Sequence, residues 1–587
     1  MRRIAGYLKP YIAAIALGLS CKFIGTIAEL FLPWILSHMI DNVAPTKNVS
    51  SIIVWGVIMA LCAAVALWGN VTANRRSSAV ARDATRSIRH DLFKKIEHLS
   101  SKQMDDLTVP SLISRMSSDT YNINSAIARL QRIGVRAPIL LMGGVTVTLI
   151  QDFRLSLVLI ATMPLLAVGV VVITRSGIPL YRKVQTALDR MLRTVRDDIV
   201  GIRVIRALSK GEYERGHFHG DNRALSSQQI HADTIMSATN PLMNLLLNGG
   251  QTAMVVVGAY LVHGGLSSPG TIIAFLSYFT TILNSVMAIN RIFVMLSKTT
   301  ASADRIDEVL SLPDEAPSGG LARLKTKAHV VFDDVSFSYN GRHTDLDHVT
   351  FALEKGQTLG VIGATGSGKT TLIQLLQRFY RVSDGAIYIG GRNVNTFSDQ
   401  ELHTMFGVAF QSDSFFEGTI RENIDLGRGL PQDQIERAAR VAQAAEFIAG
   451  KEGGYDHHVN AKAVNLSGGQ RQRLLIARAL AGNPDILILD DSSSALDYRT
   501  DAAMRGALRR EYPDVTTVLI AQRVSSVRGS DQILVLENGA PAGLGTHDSL
   551  MADCPLYAQI SRIQTGEDNP GMDADFNQKG VDANASA

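Results

Sequence analysis

Cysteine is scarce in this sequence: the 587 residues include three, Cys21, Cys62 and Cys554. The first two lie within long apolar runs, and the third lies in a more polar second half. Three dispersed cysteines exclude a disulfide framework of the kind that stabilises small secreted domains. We therefore expect reduced thiols with a structural role.

A strong net charge is also lacking, because 58 Lys and Arg residues against 54 Asp and Glu residues leave a formal charge of +4. The basic residues cluster in particular segments instead of spreading along the chain. Their number gives no reason to expect a nucleic-acid partner, and their positions are more informative.

Charged residues are sparse in six long apolar runs before residue 300. A helix needs about 20 apolar residues to cross a hydrocarbon core of ~30 Å. A polar tip at Gln151 and Asp152 separates the third run from the fourth, which predicts a tight helical hairpin. The runs predict an all-α membrane domain over residues 1–310, with spans near 11–40, 51–71, 137–152, 154–174, 241–263 and 270–297.

Lys and Arg are missing, apart from Lys47, from the connecting loops 41–51 and 263–270. The segments between spans two and three and between spans four and five are rich in both residue types. Because Lys and Arg resist translocation, we expect these basic segments and the N-terminus in the cytosol. The first apolar run is too long for a signal peptide and lacks a small-residue cleavage site, so no cleaved leader is expected.

Helical periodicity continues from the spans into both basic segments and predicts helices that extend ~25 Å or more beyond the bilayer. The periodicity breaks at residues 100–111 and 209–221. These breaks are the expected tips of the extensions, where short helices could dock on another surface. Ordinary solvated loops are the alternative at both places.

A few polar residues interrupt the apolar runs. Lys22 and Glu29 lie two helical turns apart on the first span, and Asn244, Asn248 and Gln251 form a polar face on the fifth. A charge inside a membrane is costly and often marks a substrate path. Hydrogen bonding between helices is an equally good explanation, and neither identifies a substrate.

After residue 300, apolar runs of strand length alternate with helical patterns and Gly-rich turns, as in a soluble α/β domain. The stretch LGVIGATGSGKTTLIQLL, residues 359–376, has the pattern of a P-loop. In such a loop the backbone N–H groups and the helix N-terminus bind phosphates, Lys369 supplies a charge and Thr370 a hydroxyl for Mg²⁺. Asp490, which ends the strand ILILD, is expected to bind the same Mg²⁺.

A second Gly-rich helix start occurs in NLSGGQRQRLLIARAL, residues 465–480. Ser467, Gly468 and Gly469 open a helix whose N-terminus can also hold an anion. One domain then has two places for a single bound triphosphate. The economical arrangement is a head-to-tail pair in which each second site covers the nucleotide on the other P-loop.

With these motifs the chain resembles the ATP-binding cassette (ABC) family, and within it exporter half-transporters in which six spans precede one nucleotide-binding domain. The resemblance covers roughly residues 1–565. It implies a linker at 311–328, an α/β P-loop ATPase domain at 329–565, ATP and Mg²⁺ as cofactors, a surrounding lipid bilayer and a second half-transporter as partner. The breaks at 100–111 and 209–221 match that family's coupling helices, of which the second commonly docks on the other subunit.

The resemblance also implies individual roles. Tyr339 matches the aromatic residue that stacks on adenine, Gln411 the glutamine that senses Mg²⁺, and Asp497 the aspartate that communicates across the dimer. Thr370, Gln411 and Asp490 match the metal-binding positions. The remaining nucleotide-binding positions are the Walker A loop, Gly363, Ala364, Thr365, Gly366, Ser367, Gly368, Lys369, Thr370 and Thr371, and the signature, Leu466, Ser467, Gly468, Gly469 and Gln470.

Two catalytic positions depart from the family pattern. The general base of the family is a glutamate directly after Asp490, where this chain has Asp491, and the switch histidine is replaced by Gln522. A side chain shorter by one methylene withdraws the carboxylate by about 1–1.5 Å, and a misplacement of that size can cost ~10²-fold. Gln522 cannot carry a positive charge toward the transition state. Away from these positions, Ala461 in VNAKAV, residues 459–464, replaces the acid that usually precedes the signature.

Binding groups are thus intact while hydrolytic groups are weakened, which resembles the degenerate-site subunit of bacterial heterodimeric exporters. We interpret the chain as half of an exporter in a bacterial plasma membrane that moves an amphipathic drug, lipid or peptide outward. A homodimeric exporter is one alternative, and it should hydrolyse ATP at ordinary rates without a partner. An ATP-gated channel or regulatory subunit is another, and it would give no uphill transport. The polar, aperiodic tail at 566–587 is predicted to be disordered.

Overall fold

The computed structural model describes residues 2–314, 323–411, 414–492 and 496–565. The chain divides into two compact units, Met1–His98 with Leu107–Pro313, and Leu99–Asp106 with Asp314–Ala587. The predicted boundary at residue 310 stays a prediction. Part of the predicted linker, 315–322, and the predicted tail, 566–587, lie outside the described residues.

The first unit is helical throughout, and its helices are long. The carboxamide of Asn48 caps one of them by accepting hydrogen bonds from the backbone N–H groups of Ser50 and Ser51. That helix has 49 residues and is therefore about 70 Å long, more than twice the thickness of a hydrocarbon core. This confirms the prediction that spans continue as helices. The α-helices up to residue 311, of which α4 falls mostly in the second unit, are α1 Arg2–Gly6, α2 Ile12–His38, α3 Val49–Glu97, α4 Ser101–Leu107, α5 Val109–Ser114, α6 Thr120–Arg129, α7 Val135–Gln151, α8 Phe153–Ala207, α9 Gly211–Ser237, α10 Thr239–His263 and α11 Pro269–Ser311.

All six predicted spans lie in helices, but only some meet the length and composition of a span. The fourth, near 154–174, begins in an apolar segment of α8, Phe153–Leu165, that alone is shorter than a span. The count of six therefore stays a prediction. Among the described residues, the segments long and apolar enough are Arg3–Thr46, Val49–Glu97, Val109–Gln151, Gly211–His263 and Pro269–Ile289.

The predicted tip between spans three and four is a single residue, Asp152. Its carboxylate caps α8 by accepting from the backbone N–H groups of Arg154 and Leu155, at 2.9 and 3.2 Å. An aspartate at a helix N-cap satisfies donors that have no partner within the helix. The predicted tight hairpin is therefore present.

Both expected extension tips lie where the chain turns between long helices. Residues 101–107 form the predicted short helix, α4, and Leu99–Asp106 belongs to the second compact unit. At the other tip the chain turns at residues 208–210 as expected, but the short helix predicted within 209–221 is wrong, because α9 has already begun at Gly211. There is no separate short helix there; α9 packs along α8, where Thr194 Oγ1 donates to Asp221 Oδ2 at 2.7 Å.

The polar residues of the first span bond to neighbouring helices. Lys22 is buried and its Nζ donates to the Oδ1 atoms of Asn70 and Asn74 on α3, at 2.7 and 3.3 Å. Glu29 pairs with Arg136 on α7, with 2.5 Å between Oε1 and Nη2. These contacts favour interhelical bonding over a cavity-lining role for both residues.

The polar face predicted on the fifth span is only partly engaged. Gln251 Nε2 donates to Thr280 Oγ1 on α11 at 3.1 Å. Asn244 and Asn248 are exposed on the isolated chain. The interhelical explanation therefore fits Gln251 alone.

The second unit is α/β, as predicted. In its larger sheet the strand order is β12–β11–β3–β10–β9–β6, parallel except for β12. Strands β9 and β10 are buried at every position, as expected for parallel strands covered on both faces. The strands are β1 Val330–Phe337, β2 Leu346–Leu353, β3 Thr358–Gly363, β4 Asp384–Ile389, β5 Arg392–Asn393, β6 Phe406–Ala409, β7 Gly418–Thr419, β8 His458–Val459, β9 Ile486–Asp490, β10 Thr516–Ile520, β11 Gln532–Glu537 and β12 Ala540–Gly545.

A second, antiparallel sheet has the order β2–β1–β4–β5, and β7 pairs with β8. Helices cover the sheets and enclose two apolar cores. They are α12 Lys369–Leu376, α13 Asp399–Thr404, α14 Ile420–Asp425, α15 Gln432–Val441, α16 Ala445–Ala449, α17 Gly468–Ala481, α18 Tyr498–Glu511, α19 Val524–Val527, α20 His547–Asp553 and α21 Pro555–Thr565.

Candidate functional site

The site lies where neighbouring parallel strands end. The P-loop follows β3, Asp491 follows β9, and Gln522 comes two residues after β10. The carboxyl ends of parallel strands meet at one edge of a sheet, and ligands of α/β proteins bind there. Register therefore brings together residues that are far apart in sequence. The resulting cavity of about 300 Å³ is lined by Asp345, Thr365, Gly366, Gly368, Lys369, Thr370, Thr371, Gln411, Asp490, Asp491, Ile520 and Gln522.

The P-loop has the backbone that its glycines were expected to give. Gly368 has a φ of +95° and lies directly before α12, a conformation that costs a residue with a Cβ about 1 kcal/mol or more. Lys369 Nζ donates to the carbonyl oxygens of Gly363 and Ala364, at 2.9 and 2.7 Å. The loop, the lysine and the helix N-terminus thus form one cationic end of the cavity.

Two carboxylates face this cationic end. Asp490 and Asp491 are 5 % and 8 % exposed. Burial and the adjacent charge of Asp491 raise the pKa of Asp490 to about 6. Burial also raises the pKa of Asp491. Burial lowers the pKa of Lys369, although both carboxylates oppose that effect.

Two side-chain amides converge on Asp491. Gln411 Nε2 and Gln522 Nε2 both donate to its Oδ2, at 3.1 and 2.9 Å. The residue has a φ of +47°, which turns the chain directly after β9. The three predicted catalytic positions are therefore in direct contact, and neutral amides hold one oxygen of the shortened carboxylate.

The predicted magnesium ligands also lie together. Thr370, Gln411 and Asp490 line the same cavity and offer a hydroxyl, a carboxamide and a carboxylate. Mg²⁺ prefers such oxygen ligands and completes its shell with water and substrate phosphates. The described residues contain no cluster of three or more His, Cys, Asp or Glu that could hold another metal. The donor set therefore fits Mg²⁺ held together with a nucleotide.

Tyr339 lies beside the cavity and does not line it within the described part of the chain. Its ring meets Tyr380 edge-on with 4.9 Å between centroids. Its hydroxyl donates to Gln374 Oε1 at 2.5 Å, and the side chain is 39 % exposed. This places an accessible aromatic face next to α12, and the predicted stacking on adenine stays a prediction.

The signature lies apart from this chain's P-loop cavity, as far as the described residues define it. Ser467 caps α17: its Oγ accepts from the backbone N–H of Gln470 at 3.3 Å, and Gln470 Oε1 accepts from that of Ser467 at 3.1 Å. A Cβ added at Gly468 would meet no described atom within 4 Å. Packing within this chain therefore gives no reason for a glycine at that position.

Asp497 is likewise outside the cavity lining in the described residues and caps α18. Its carboxylate accepts from the backbone N–H and the hydroxyl of Thr500, at 2.9 and 2.8 Å. These hydrogen bonds lower the pKa of Asp497. Its predicted role across a dimer stays a prediction.

Sequence reasoning missed Asp345, which lines the cavity. One of its carboxylate oxygens accepts from the backbone N–H of Tyr339 at 2.9 Å and so holds the loop that carries the aromatic ring. No motif marks this residue. Only a short run of polar residues before β2 hints at a turn there.

Binding of Mg²⁺ and ATP is expected to weaken in acid. Because the pKa of Asp490 is about 6 and only the ionised carboxylate binds a metal, affinity should be constant above pH 7. It should fall about tenfold between pH 7 and pH 5. Titration of Mg²⁺-dependent nucleotide binding at several pH values checks this. Asp490→Asn is the control, because it removes the carboxylate and leaves titration of ATP itself; the same pH slope in both proteins would contradict the prediction.

Comparisons with known proteins agree with this geometry. The family model described as ABC transporter transmembrane region matches residues 15–286, and the family model described as ABC transporter matches residues 346–494. An uncharacterized ABC transporter ATP-binding protein of Mycobacterium tuberculosis is 31 % identical over 95 % of this chain and 97 % of its own length. The ATP-dependent lipid A-core flippase of Pseudomonas fluorescens is 28 % identical over 97 % of both chains.

A solved structure of a bacterial Atm1-family ABC exporter with ATP bound matches with a TM-score of 0.79 and 23 % identity. The match covers 95 % of this chain and 98 % of that one. The chain belongs to the ABC transporter family. It is a half-transporter of the exporter fold, a helical transmembrane domain fused to one nucleotide-binding domain, and its second unit is an ATP-binding ATPase coupled to the movement of substrates across a membrane.

Proposed function

We propose that this protein is the degenerate-site subunit of a heterodimeric bacterial exporter. It moves an amphipathic drug, lipid or peptide outward across the plasma membrane by alternating access, with its N-terminus and ATPase domain in the cytosol. The observation that carries the proposal is the combination of a complete P-loop with Asp491 and Gln522 at the hydrolytic positions. A lipid is a natural candidate substrate, because a relative that matches over 97 % of its length is an ATP-dependent lipid A-core flippase.

The residues expected to bind ATP and Mg²⁺ at this site all match the family pattern. The P-loop N–H groups and Lys369 hold the phosphates, and Tyr339 stacks on the base. Thr370, Gln411 and Asp490 hold Mg²⁺. The ion held there would neutralise negative charge on the phosphates. Asp490 must lose its proton for this, which its pKa of about 6 allows at pH 7.

Hydrolysis at the same site is slow because the carboxylate of its general base lies too far from the attacking water. Asp491 is one methylene shorter than glutamate, and its Oδ2 is held by the amides of Gln411 and Gln522. A water that must reach both the γ-phosphate and this carboxylate is poorly positioned. Gln522 donates a hydrogen bond to the γ-phosphate but brings no positive charge. The site therefore holds ATP longer than it takes to complete a transport cycle.

The signature serves the other subunit. Ser467 Oγ accepts the capping bond from Gln470, which leaves its O–H free to donate to a phosphate. The open space at Gly468 allows a nucleotide on a partner's P-loop to approach the backbone of α17. An intact signature completes the partner's competent site, whereas the weakened residues belong to this chain's own site.

Unequal sites predict unequal effects of P-loop mutations. Lys369→Ala removes a charge-assisted contact and should weaken ATP binding at this chain's site about 10- to 100-fold. Turnover by the complex with the partner half-transporter should fall only a few-fold, because the competent site keeps its own lysine. Nucleotide affinity and steady-state ATPase of the co-purified complex measure both effects.

The control for lost charge is Lys355→Ala, an exposed lysine in the turn before β3, which should change neither quantity. The equivalent change in the partner should abolish turnover. Equal and complete loss of activity from either P-loop mutation would rule out unequal sites and favour the homodimer-like mechanism.

A further inference from the structure

The loop that carries Gln522 is hydrogen-bonded to α21, the last helix in the described part of the chain. We call residues 522–524, which follow β10 and end at the first residue of α19, the switch loop. Gln564 on α21 makes two hydrogen bonds to its backbone. Its Oε1 accepts from the N–H of Val524 at 2.7 Å, and its Nε2 donates to the carbonyl oxygen of Gln522 at 2.9 Å.

These two bonds bracket one residue, Arg523. The N–H of Val524 opens α19 and has no acceptor within the helix, and Arg523 at the N-cap offers none, because arginine has only donors. Gln564 supplies the missing cap. One planar amide thus fixes both sides of Arg523, and with them the direction in which the side chain of Gln522 leaves the backbone.

The side chain so directed reaches the hydrolytic position. Gln522 Nε2 donates to Asp491 Oδ2 at 2.9 Å. A chain of contacts therefore runs from α21 through the backbone of the switch loop to the carboxylate after β9. Among the described residues that line the P-loop cavity, Gln522 is the one to which Gln564 hydrogen-bonds.

Helix α21 is packed against the domain, which fixes the position of Gln564. Tyr557 is fully buried, and its hydroxyl lies 2.8 Å from His547 Nδ1 on α20. Leu556, Ile560 and Gln564 recur every fourth residue and so share one face of the helix. That face lines a second cavity of about 400 Å³ behind the P-loop, together with Gly363, Ala364, Thr365 and Gln522.

We propose that Gln564 is a positioning residue for the switch loop: its side-chain amide sets the place of Gln522 against Asp491 and the γ-phosphate. Helix α21 thereby acts on the hydrolytic position through the backbone of the switch loop. The proposal concerns the ATPase reaction and holds whether or not this site is paired with a more active one.

Hydrogen exchange of the full-length protein in nanodiscs tests the position directly. In Gln564→Ala, exchange in peptides covering 521–526 should be about fivefold faster, the effect of losing one backbone hydrogen bond. Exchange of the P-loop and of β9 should stay unchanged. Ile563→Ala is the matched control, because its side chain is 63 % exposed on the same helical turn; it should leave exchange as in the parent protein.

Single-turnover hydrolysis gives a second readout. Gln564→Ala should lower the rate about tenfold with less than threefold change in ATP affinity, since the phosphate-binding residues are untouched. In a Gln522→Ala background the same change should have no further effect, because Gln564 acts through that side chain. Gln564→Glu accepts from Val524 but cannot donate to Gln522 until its carboxyl is protonated, so its deficit should shrink as pH falls.

Unchanged exchange at 521–526 in Gln564→Ala would overturn the proposal. So would faster exchange spread evenly over the whole domain, which would indicate a general loss of stability. An equal fall in hydrolysis rate with and without Gln522 would also overturn it.

Discussion

A complex carrying Ser467→Arg in this chain should lose ATP turnover by at least ~10²-fold, the scale expected when a donor to transition-state charge is removed from a preorganised site. The substitution removes the hydroxyl at the N-terminus of α17 and places a long charged side chain over the open space beside Gly468. A nucleotide on the partner's P-loop could then no longer reach the helix N-terminus. Steady-state ATPase of the co-purified complex is the measurement.

The matched control is Ser398→Arg. Ser398 is also exposed and also caps a helix, α13, through a hydrogen bond of 3.2 Å from the backbone N–H of Glu401. It therefore reports the cost of losing a serine cap, about 1 kcal/mol of stability, without approaching any predicted nucleotide. We expect near-normal turnover in the control, and near-normal turnover in Ser467→Arg would show that the signature does not serve a working site.

The phosphate-binding part of the site could be predicted from the sequence because its geometry is local. A glycine at 368, directly before α12, and a lysine at 369, the first residue of that helix, favour a phosphate-binding loop after β3. The meeting of Gln411, Asp491 and Gln522 depends instead on the order of β6, β9 and β10 in the sheet. The family resemblance supplied the roles of these residues, but nothing in the sequence analysis supplied the strand order.

The helix break predicted at residues 209–221 is shorter in the structure, where it covers residues 208–210, and the difference has a physical cause. Gly211, Gly216 and Gly220 lower helix propensity there, each by up to about 1 kcal/mol relative to alanine. In the structure all three lie within α9. Packing along α8 and the acidic first turn, Glu212 and Glu214, favour the helix. Tertiary contacts and the helix dipole thus outweigh a propensity that sequence reasoning counted alone.

The contacts of Asp345 and Gln564 were beyond prediction for a different reason. Each acts through a hydrogen bond to backbone atoms of another segment, the N–H of Tyr339 in one case and both sides of Arg523 in the other. Every residue except proline has backbone donor and acceptor groups of the same kind, so the sequence does not indicate which backbone atom a distant side chain will bond to. Such residues become visible only when the fold places them.

Under the proposed function, restoring both weakened groups should convert a site that retains ATP into a site that hydrolyses it. Asp491→Glu with Gln522→His is expected to raise hydrolysis at this site by ~10- to 100-fold, the range for a repositioned general base. The longer side chain moves the carboxylate toward the attacking water, and histidine can bring a positive charge to the γ-phosphate. Because Gln522 Nε2 contacts Asp491 Oδ2 at 2.9 Å, the two changes should be non-additive, and both single variants are needed as controls. Single-turnover hydrolysis with the partner's own base disabled isolates this site.

Transport should not rise in proportion to that hydrolysis. A nucleotide that stays bound keeps the two ATPase domains partly associated between cycles, and its binding energy biases the equilibrium between inward- and outward-open states. Early hydrolysis removes the bias, so transport into inverted vesicles per ATP consumed should fall in the double variant paired with an intact partner. If no ATP is cut in the isolated-site measurement, Asp491 and Gln522 are not what limits the site. If transport instead rises in step with hydrolysis, the parent site is a slow hydrolytic site and has no ATP-retaining role. Retained ATP would keep the two ATPase domains associated, and faster hydrolysis would then separate them more often without a matching gain in transport.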